Sequence, residues 1–185
     1  MTERVGGWHR KSRRRVYENP WINISHDEVI TPAGTDGIYG VVHFKNTAVG
    51  VLPIDESGNT WLVRQTRYTM NNYTWEIPEG GCPQGEDTLS AAQRELREEA
   101  GLQAQHWERL QELQLSNSVT DEVAVIYVAR QLEEVGQALE DSEDIELKKL
   151  PLTEAIAMVE RGEITDAISV AALLRVAYQR AANLD

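Results

Sequence analysis

The stretch that decides the fold is EIPEGGCPQGEDTLSAAQRELREEAGL, which runs from Glu76 to Leu102 of the 185-residue chain. Its glycine-rich first part predicts a loop with tight turns. Its second part, residues 87–100, predicts an amphipathic helix, because small and aliphatic residues recur three and four positions apart. Gly101 follows where a helix commonly ends in a left-handed residue. The stretch therefore predicts a loop that leads into one helix.

Three carboxylates are crowded near the end of this predicted helix, at Glu95, Glu98 and Glu99. Residues three and four apart share one helix surface, and acids in the last turn oppose the helix dipole by about 0.3–1 kcal/mol each. Two interpretations follow. The acids form a solvated face that Arg94 relieves, or they surround divalent cations, for which oxygen-only ligands suit Mg²⁺ or Mn²⁺.

The longer pattern around these acids favours the cation. The stretch fits G-x5-E-x7-R-E-U-x-E-E-x-G-U, where U is an aliphatic residue, at every specified position: Gly80, Glu86, Arg94, Glu95, Leu96, Glu98, Glu99, Gly101 and Leu102. In this pattern the chain resembles the Nudix hydrolases. The resemblance implies an α/β Nudix fold, in which a mixed β-sheet is sandwiched between helices, with a small N-terminal antiparallel β-sheet.

The resemblance also implies the metal chemistry. Glu95, Glu98 and Glu99 correspond to metal ligands, together with the backbone carbonyl at Glu79, and Glu99 counts among the catalytic residues. Glu86 and Arg94 correspond to a pair that braces the loop against the helix. The implied reaction is attack of water on a phosphorus atom, with Mg²⁺, or Mn²⁺ in its place, neutralising the growing charge.

Patterns outside this stretch suggest a division of the chain. Residues 15–44 alternate short β-type runs with turn residues, which predicts a small antiparallel sheet. We expect an N-terminal sheet domain at 1–46 and a catalytic domain at 47–185. Further helices are predicted at 153–161 and from 167 to about 182.

Flanking residues resemble one branch of the family, the ADP-ribose pyrophosphatases and nucleoside-diphosphate-sugar hydrolases. The resemblance rests on VRQTRY, on the E-x-P-x-G run from Glu76 to Gly80, and on VERGEITDAISVAALLRV near the end. It implies a homodimer that exchanges N-terminal sheets. It also implies these substrate-binding candidates: Trp21 for nucleobase stacking, Tyr39, Lys45, Arg67 for a phosphate, and Glu76.

Some of these roles have plain structural alternatives. Trp21 is equally suited to an ordinary position in a sheet, and Arg67 to a surface salt bridge. In the same branch the general base comes from an acidic loop, which corresponds here to ALEDSEDIE. We expect Glu140, then Glu143, to be this catalytic base, while other acids of the loop keep it solvated.

One departure bears on the substrate. ADP-ribose-specific relatives carry a proline sixteen residues after the second glycine of the pattern, and this chain has Asn117 there. We therefore expect hydrolysis of nucleoside-diphosphate sugars such as GDP-mannose or ADP-ribose. The alternatives are a strict ADP-ribose pyrophosphatase and a non-catalytic sensor of nucleotide sugars. Hydrolysis of oxidised nucleoside triphosphates fits poorly with the extra N-terminal sheet.

Composition excludes several other classes. Lys and Arg number 18 against 30 Asp and Glu, a net charge of -12, which disfavours nucleic-acid binding. No apolar run approaches the roughly twenty residues of a membrane span. The single cysteine, Cys82, cannot form an internal disulfide, so we expect a reducing, cytoplasmic location. The basic run from Arg10 to Arg15 is expected to belong to a solvated, partly disordered start.

Overall fold

The computed structural model of the chain describes residues 2–137 and 144–182. The chain divides into two compact units. The first comprises Met1–Thr47 and Gln114–Val123, and the second comprises Ala48–Leu113 and Ala124–Asp185. The segment 114–123 thus joins the N-terminal unit, although no local sequence pattern marks it for that position.

The first unit is built on an antiparallel sheet in the order β1-β2-β3-β4. Its strands are β1 (Glu3–Val5), β2 (Trp8–Glu18), β3 (Ile22–Ile30) and β4 (Asp36–Phe44). The predicted small antiparallel sheet is confirmed, but the expectation of a disordered basic start is wrong. The run from Arg10 to Arg15 lies within β2 and pairs with β3, where the buried carboxylate of Asp27 receives two hydrogen bonds of 2.8 Å from Arg13.

The remaining strands form two further sheets. One has the order β8-β5-β10-β9 and includes the parallel pair β5 and β10; the other has the order β11-β6-β7 and is antiparallel. The strands are β5 (Thr47–Pro53), β6 (Asn59–Arg67), β7 (Asn72–Glu76), β8 (Glu79–Cys82), β9 (Leu102–Gln114), β10 (Val123–Glu134) and β11 (Glu146–Pro151). A short 3₁₀ turn at Tyr68–Met70 separates β6 from β7.

The helices of the described residues are α1 (Thr88–Ala100), α2 (Leu152–Glu160) and α3 (Ala167–Ala181), as the periodicity predicts. Asp87 caps the start of helix α1, and its side chain accepts hydrogen bonds from the backbone N–H groups of Leu89 and Ser90. Gly101, with φ 65°, caps the end of the helix. None of the helices in 2–137 and 144–182 is long and apolar enough to cross a membrane.

The core places α1 and α3 on opposite faces of the β5 sheet. Val49 and Val51 share one hydrophobic cluster with Leu96 of α1. Gly50 points the other way, toward α3, because successive residues of a strand face opposite sides. A Cβ atom at Gly50 would lie 2.5 Å from Ile168, so glycine permits α3 to pack closely. This is the predicted sheet between helices, and it fixes the position of α1.

Candidate active site

The end of α1 brings its acids against the start of β8. Glu95 and Glu99 are buried, with 8 % and 2 % of their surface exposed. The Glu99 carboxylate accepts a hydrogen bond of 2.8 Å from the backbone N–H of Glu79. The face of α1 that carries these acids is therefore turned inward, toward the loop, and the interpretation as a wholly solvated charged face is wrong.

Gly80 permits a close approach to Glu95. A Cβ atom at residue 80 would lie 2.1 to 2.4 Å from the carboxylate atoms of Glu95, far inside van der Waals contact. The Gly80 backbone therefore packs directly on the Glu95 carboxylate. This contact explains in physical terms why the pattern begins with a glycine.

Arg94 joins the loop to the helix. Its Nη2 donates to the Gly81 carbonyl at 2.9 Å and to Glu86 at 3.3 Å, and its Nη1 donates to Glu95 at 2.7 Å and to Glu98 at 3.1 Å. One guanidinium thus neutralises part of the charge of three carboxylates. The predicted contact between Glu86 and Arg94 is present, and Arg94 also binds two of the predicted metal ligands.

Arg67 forms a second ion-pair cluster, at the end of β6. Its Nε lies 2.9 Å from both oxygens of Glu76, which is 1 % exposed, and its Nη2 donates to Glu76 and to Glu79. Thr74 donates to the same Glu76 carboxylate at 2.6 Å. In this structure the Arg67 guanidinium is therefore paired with the carboxylates of Glu76 and Glu79. Its side chain remains 37 % exposed, at the edge of a cleft of about 340 Å³.

Charge is concentrated around this cluster. Burial, together with the nearby carboxylates of Asp166 and Glu76, raises the pKa of Glu79 well above its usual range, against the opposing effect of Arg67. Burial alone would lower the pKa of Arg67, but the hydrogen bonds with Glu76 and the charge of Glu79 raise it above the ordinary value. Sequence reasoning missed Asp166, which also caps α3 by accepting from Ser169 N–H at 2.7 Å.

Other predicted substrate-binding residues lie in the first unit. Trp21 is 66 % exposed, and Lys45 donates to Glu18 at 3.0 Å and to the Asn19 carbonyl at 2.6 Å.

Tyr39 donates to the Ser118 carbonyl at 2.7 Å and makes an edge-to-face contact with Trp8. Tyr39, Trp8 and Asn117 line one pocket of about 250 Å³. Tyr39 and Asn117, selected for separate reasons, therefore share a pocket that Trp21 and Lys45 do not line.

Comparison with known families identifies the chain. A family profile described as NUDIX domain matches residues 44–173, which is more than half of the sequence. The chain belongs to the Nudix family. A second profile, described as nucleoside diphosphate sugar hydrolase N-terminal domain, matches residues 8–42. The chain is a hydrolase that acts on pyrophosphate bonds, of the ADP-ribose or nucleoside-diphosphate-sugar type.

Similar proteins agree with this Nudix assignment. An ADP-ribose pyrophosphatase of Mycobacterium tuberculosis is 38 % identical over 157 residues, covering 83 % of this chain and 75 % of that protein. An ADP-ribose pyrophosphatase of Bacillus subtilis is 27 % identical, covering 84 % and 85 % of the two chains. A crystal structure of an ADP compounds hydrolase has the same fold, with a TM-score of 0.84 at 21 % identity, over 97 % of this chain and 98 % of that one.

Nudix hydrolases generally need divalent metal ions, and the donor set here fits one. Within 2–137 and 144–182, no group of three or more His, Cys, Asp or Glu residues is already arranged to hold an ion. The carboxylates instead face arginines and the Glu79 N–H. However, the donors are all oxygen atoms, and Glu95 and Glu99 are buried. The Oε2 atom of Glu79 is also buried, and it has no hydrogen-bond partner in the part of the chain that the structure describes. Such donors match Mg²⁺ or Mn²⁺.

The candidate bases Glu140 and Glu143 lie outside the described residues. The chain that leads toward them is attached to the end of α1. Val135 and Gly136 donate backbone hydrogen bonds to the Gly101 carbonyl, and the Gln137 side chain donates to the Glu99 carbonyl. No sequence pattern predicted this attachment. It requires a glycine at position 101, because a Cβ atom there would lie 2.6 Å from the backbone nitrogen of Gln137.

Proposed function

We propose that this Nudix hydrolase cleaves the pyrophosphate bond of nucleoside-diphosphate sugars, such as GDP-mannose or ADP-ribose, in a Mg²⁺-dependent reaction. The products are a nucleoside monophosphate and a sugar phosphate. The observation that carries the proposal is the packing of Glu79 and Gly80 against Glu99 and Glu95, which gathers the acids of the Nudix pattern at one place.

In this proposal Glu95, Glu98 and Glu99 hold the cation, with the backbone of Glu79. A cation held by these residues would supply positive charge against the diphosphate and would lower the pKa of a bound water. Gly80 leaves space for the Glu95 carboxylate, and Arg94 keeps Glu86 and the loop fixed to α1. The protein's contribution is thus a fixed, largely buried set of oxygen donors, whose own charges repel one another less once a cation is present.

Charge also matters for substrate capture. A chain with net charge -12 repels a diphosphate unless local cations receive it. Arg67 is the candidate on the protein, since its fork of donors suits a phosphate and its side chain reaches the edge of the cleft. We propose Glu140 as the base that activates water, and Glu143 as the second candidate.

The nucleotide end is proposed to be recognised by the N-terminal domain, residues 1–46, through Trp21, Tyr39 and Lys45. The match of residues 8–42 to a nucleoside-diphosphate-sugar hydrolase domain supports this assignment. We also propose a homodimer with exchanged N-terminal sheets. Its support is a group of exposed apolar side chains on the first unit, which a partner would cover: Val5, Val16, Tyr17, Trp21, Ile38 and Phe44.

A strict ADP-ribose pyrophosphatase is the second candidate. Two relatives carry that name. Asn117, in place of the proline expected from the resemblance, instead favours a broader range of substrates.

The test is a panel of nucleoside-diphosphate sugars, incubated with the purified protein and Mg²⁺ in ¹⁸O-labelled water. We expect a monophosphate and a sugar phosphate from several substrates, and the label identifies which phosphorus is attacked. Turnover of ADP-ribose alone supports the strict enzyme. Tight binding without any product supports a non-catalytic sensor and contradicts the proposal.

A further inference from the structure

The side chain of Glu79 has no role in the Nudix pattern, in which only the backbone at this position is assigned. In this chain that side chain is 9 % exposed and points inward from the start of β8. One carboxylate oxygen, Oε1, receives a hydrogen bond from Arg67. The other oxygen, Oε2, is buried and has no hydrogen-bond partner among the described residues.

A buried carboxylate oxygen without a partner is costly. Leaving a buried acceptor unsatisfied destabilises the fold, and more so when the group is charged. Most buried polar atoms in proteins are paired for this reason, so an exception needs an explanation. If Glu79 served only as a structural partner of Arg67, Oε2 would be expected to find a donor or reach solvent.

The neighbours of Glu79 point to a missing positive charge. Glu76 takes most of the hydrogen bonds of Arg67, and the Glu99 carboxylate lies on the Glu79 N–H at 2.8 Å. The charge of Asp166 also acts on Glu79. The single guanidinium of Arg67 therefore pairs with two buried carboxylates, those of Glu76 and Glu79. A third carboxylate, that of Glu99, which is proposed to bind the metal, accepts a hydrogen bond from the backbone of Glu79.

We propose that the side-chain carboxylate of Glu79 is a further ligand of the divalent cation, beside Glu95, Glu98 and Glu99. The inference rests on the proposed function, which requires a cation at this place. It accounts for the Oε2 atom that has no partner among the described residues, because a carboxylate oxygen that accepts no hydrogen bond is free to bind Mg²⁺ or Mn²⁺, which prefer oxygen ligands.

The assignment has a consequence for Arg67. The Nη2 atom that holds Glu79 belongs to the guanidinium proposed to receive a substrate phosphate. When Oε2 of Glu79 ligates the cation, Oε1 keeps its hydrogen bond with Arg67, so one carboxylate joins the cation to the guanidinium that is proposed to receive the diphosphate. Binding of the cation and binding of a phosphate ligand are then coupled, and by linkage each strengthens the other equally.

The experiment measures Mn²⁺ binding to the full chain without substrate, by electron paramagnetic resonance and by calorimetry. Wild type is compared with Glu79→Gln, which keeps the size of the side chain and removes its charge. Glu56→Gln is the matched control, because it makes the same charge change at an exposed position. We expect Glu79→Gln to weaken Mn²⁺ binding by about 10-fold or more, and Glu56→Gln to change it by less than about 2-fold.

Thermal unfolding, measured in EDTA and in Mn²⁺, distinguishes a metal-binding role of the Glu79 side chain from a purely structural one. If Glu79 is a ligand, Glu79→Gln keeps or raises Tm in EDTA and reduces the increase in Tm that Mn²⁺ produces. Wild-type Mn²⁺ affinity in Glu79→Gln, with a lower Tm in EDTA, overturns the inference. Glu79→Ala provides the same comparison if the glutamine variant folds poorly.

Failure of the inference differs from failure of the proposed function. If wild type binds Mn²⁺ and hydrolyses nucleotide sugars while Glu79→Gln binds Mn²⁺ equally well, only the role of Glu79 is wrong. If wild type itself neither binds Mn²⁺ nor yields product, the proposed function fails.

Discussion

The carboxylate of Glu99, at the end of α1, lies 2.8 Å from the backbone nitrogen of Glu79, at the start of β8. These residues are twenty positions apart in the chain. This hydrogen bond fixes the end of α1 against the loop. It joins Glu99, which is proposed to bind the metal, to the backbone of Glu79, which is proposed to assist it.

Glu99→Gln tests this contact and the metal site together. The glutamine oxygen can still accept the Glu79 N–H, so we expect the fold to persist. Its neutral amide is a poor ligand for Mg²⁺, and we expect kcat to fall by about 100-fold or more. Steady-state kinetics at saturating Mg²⁺ and circular dichroism check both expectations. Near-normal turnover would place the metal site elsewhere.

Gly80→Ala tests the close approach to Glu95. The new methyl group would lie about 2 Å from the Glu95 carboxylate, which must therefore move. We expect Mn²⁺ affinity and kcat/KM to fall by about 10-fold or more, as for other changes that misplace a metal ligand. Gly40→Ala is the control, because a Cβ atom there meets nothing within 4 Å. Equal effects of the two substitutions would contradict this account.

Arg94→Lys tests the brace between loop and helix. A lysine carries the charge, but it cannot make the forked contacts to Gly81 and to the acids. We expect the free energy of unfolding in EDTA to fall by about 1–2 kcal/mol, a value kept small because Arg94 is 36 % exposed. Urea denaturation measures the change. Unchanged stability would mean that the loop is held by other contacts.

Gly101→Ala tests the attachment of residues 135–137 to α1. Gly101 and Gly162 both have positive φ, at 65° and 72°, where a side chain costs about 1–2 kcal/mol. Only at Gly101 would the new Cβ atom also meet backbone atoms, 2.6 Å from Gln137 N. We expect Gly101→Ala to lower the free energy of unfolding clearly more than Gly162→Ala. Chemical denaturation measures both changes. Similar decreases in the free energy of unfolding for the two variants would show that residues 135–137 can move away from the new methyl group without loss of stability.

Asp55 makes stability depend on acid pH. Burial opposes its charge, but hydrogen bonds from Asn59 and the Lys149 ion pair lower the pKa of Asp55 to about 2. The stabilisation is therefore complete above the ordinary pKa of 3.8 and is lost as pH falls toward 2.

Asp55→Ala should accordingly cost about 1–3 kcal/mol in the free energy of unfolding at pH 7, and less near pH 2. Denaturation curves across this pH range measure the difference, with Glu56→Ala, at the neighbouring exposed position, as the control for charge. A cost that does not change with pH would show that the Asp55 charge is unimportant.

The local elements were predictable because their signals are local. The periodicity of residues 87–100 and Gly101 give α1 and its end, and alternation gives the N-terminal strands. The basic run from Arg10 to Arg15 was not predictable as a strand from its own composition. It belongs to β2 because the chain pairs there with β3, where Arg13 also binds Asp27, and that neighbouring strand is known only in the folded sheet.

The sequence by itself determined which carboxylates share one face of α1, because residues three and four apart on a helix are neighbours. The reaction class came from the sequence too, but through the resemblance of the whole nine-position pattern to the Nudix hydrolases and not through helix geometry. Only the tertiary structure decided which groups meet across the chain: Arg67 with Glu76 and Glu79, Glu99 with the Glu79 backbone, and Tyr39 with Asn117 around one pocket. These contacts depend on how separate strands, and α1, pack against one another, so no pattern within a single element encodes them.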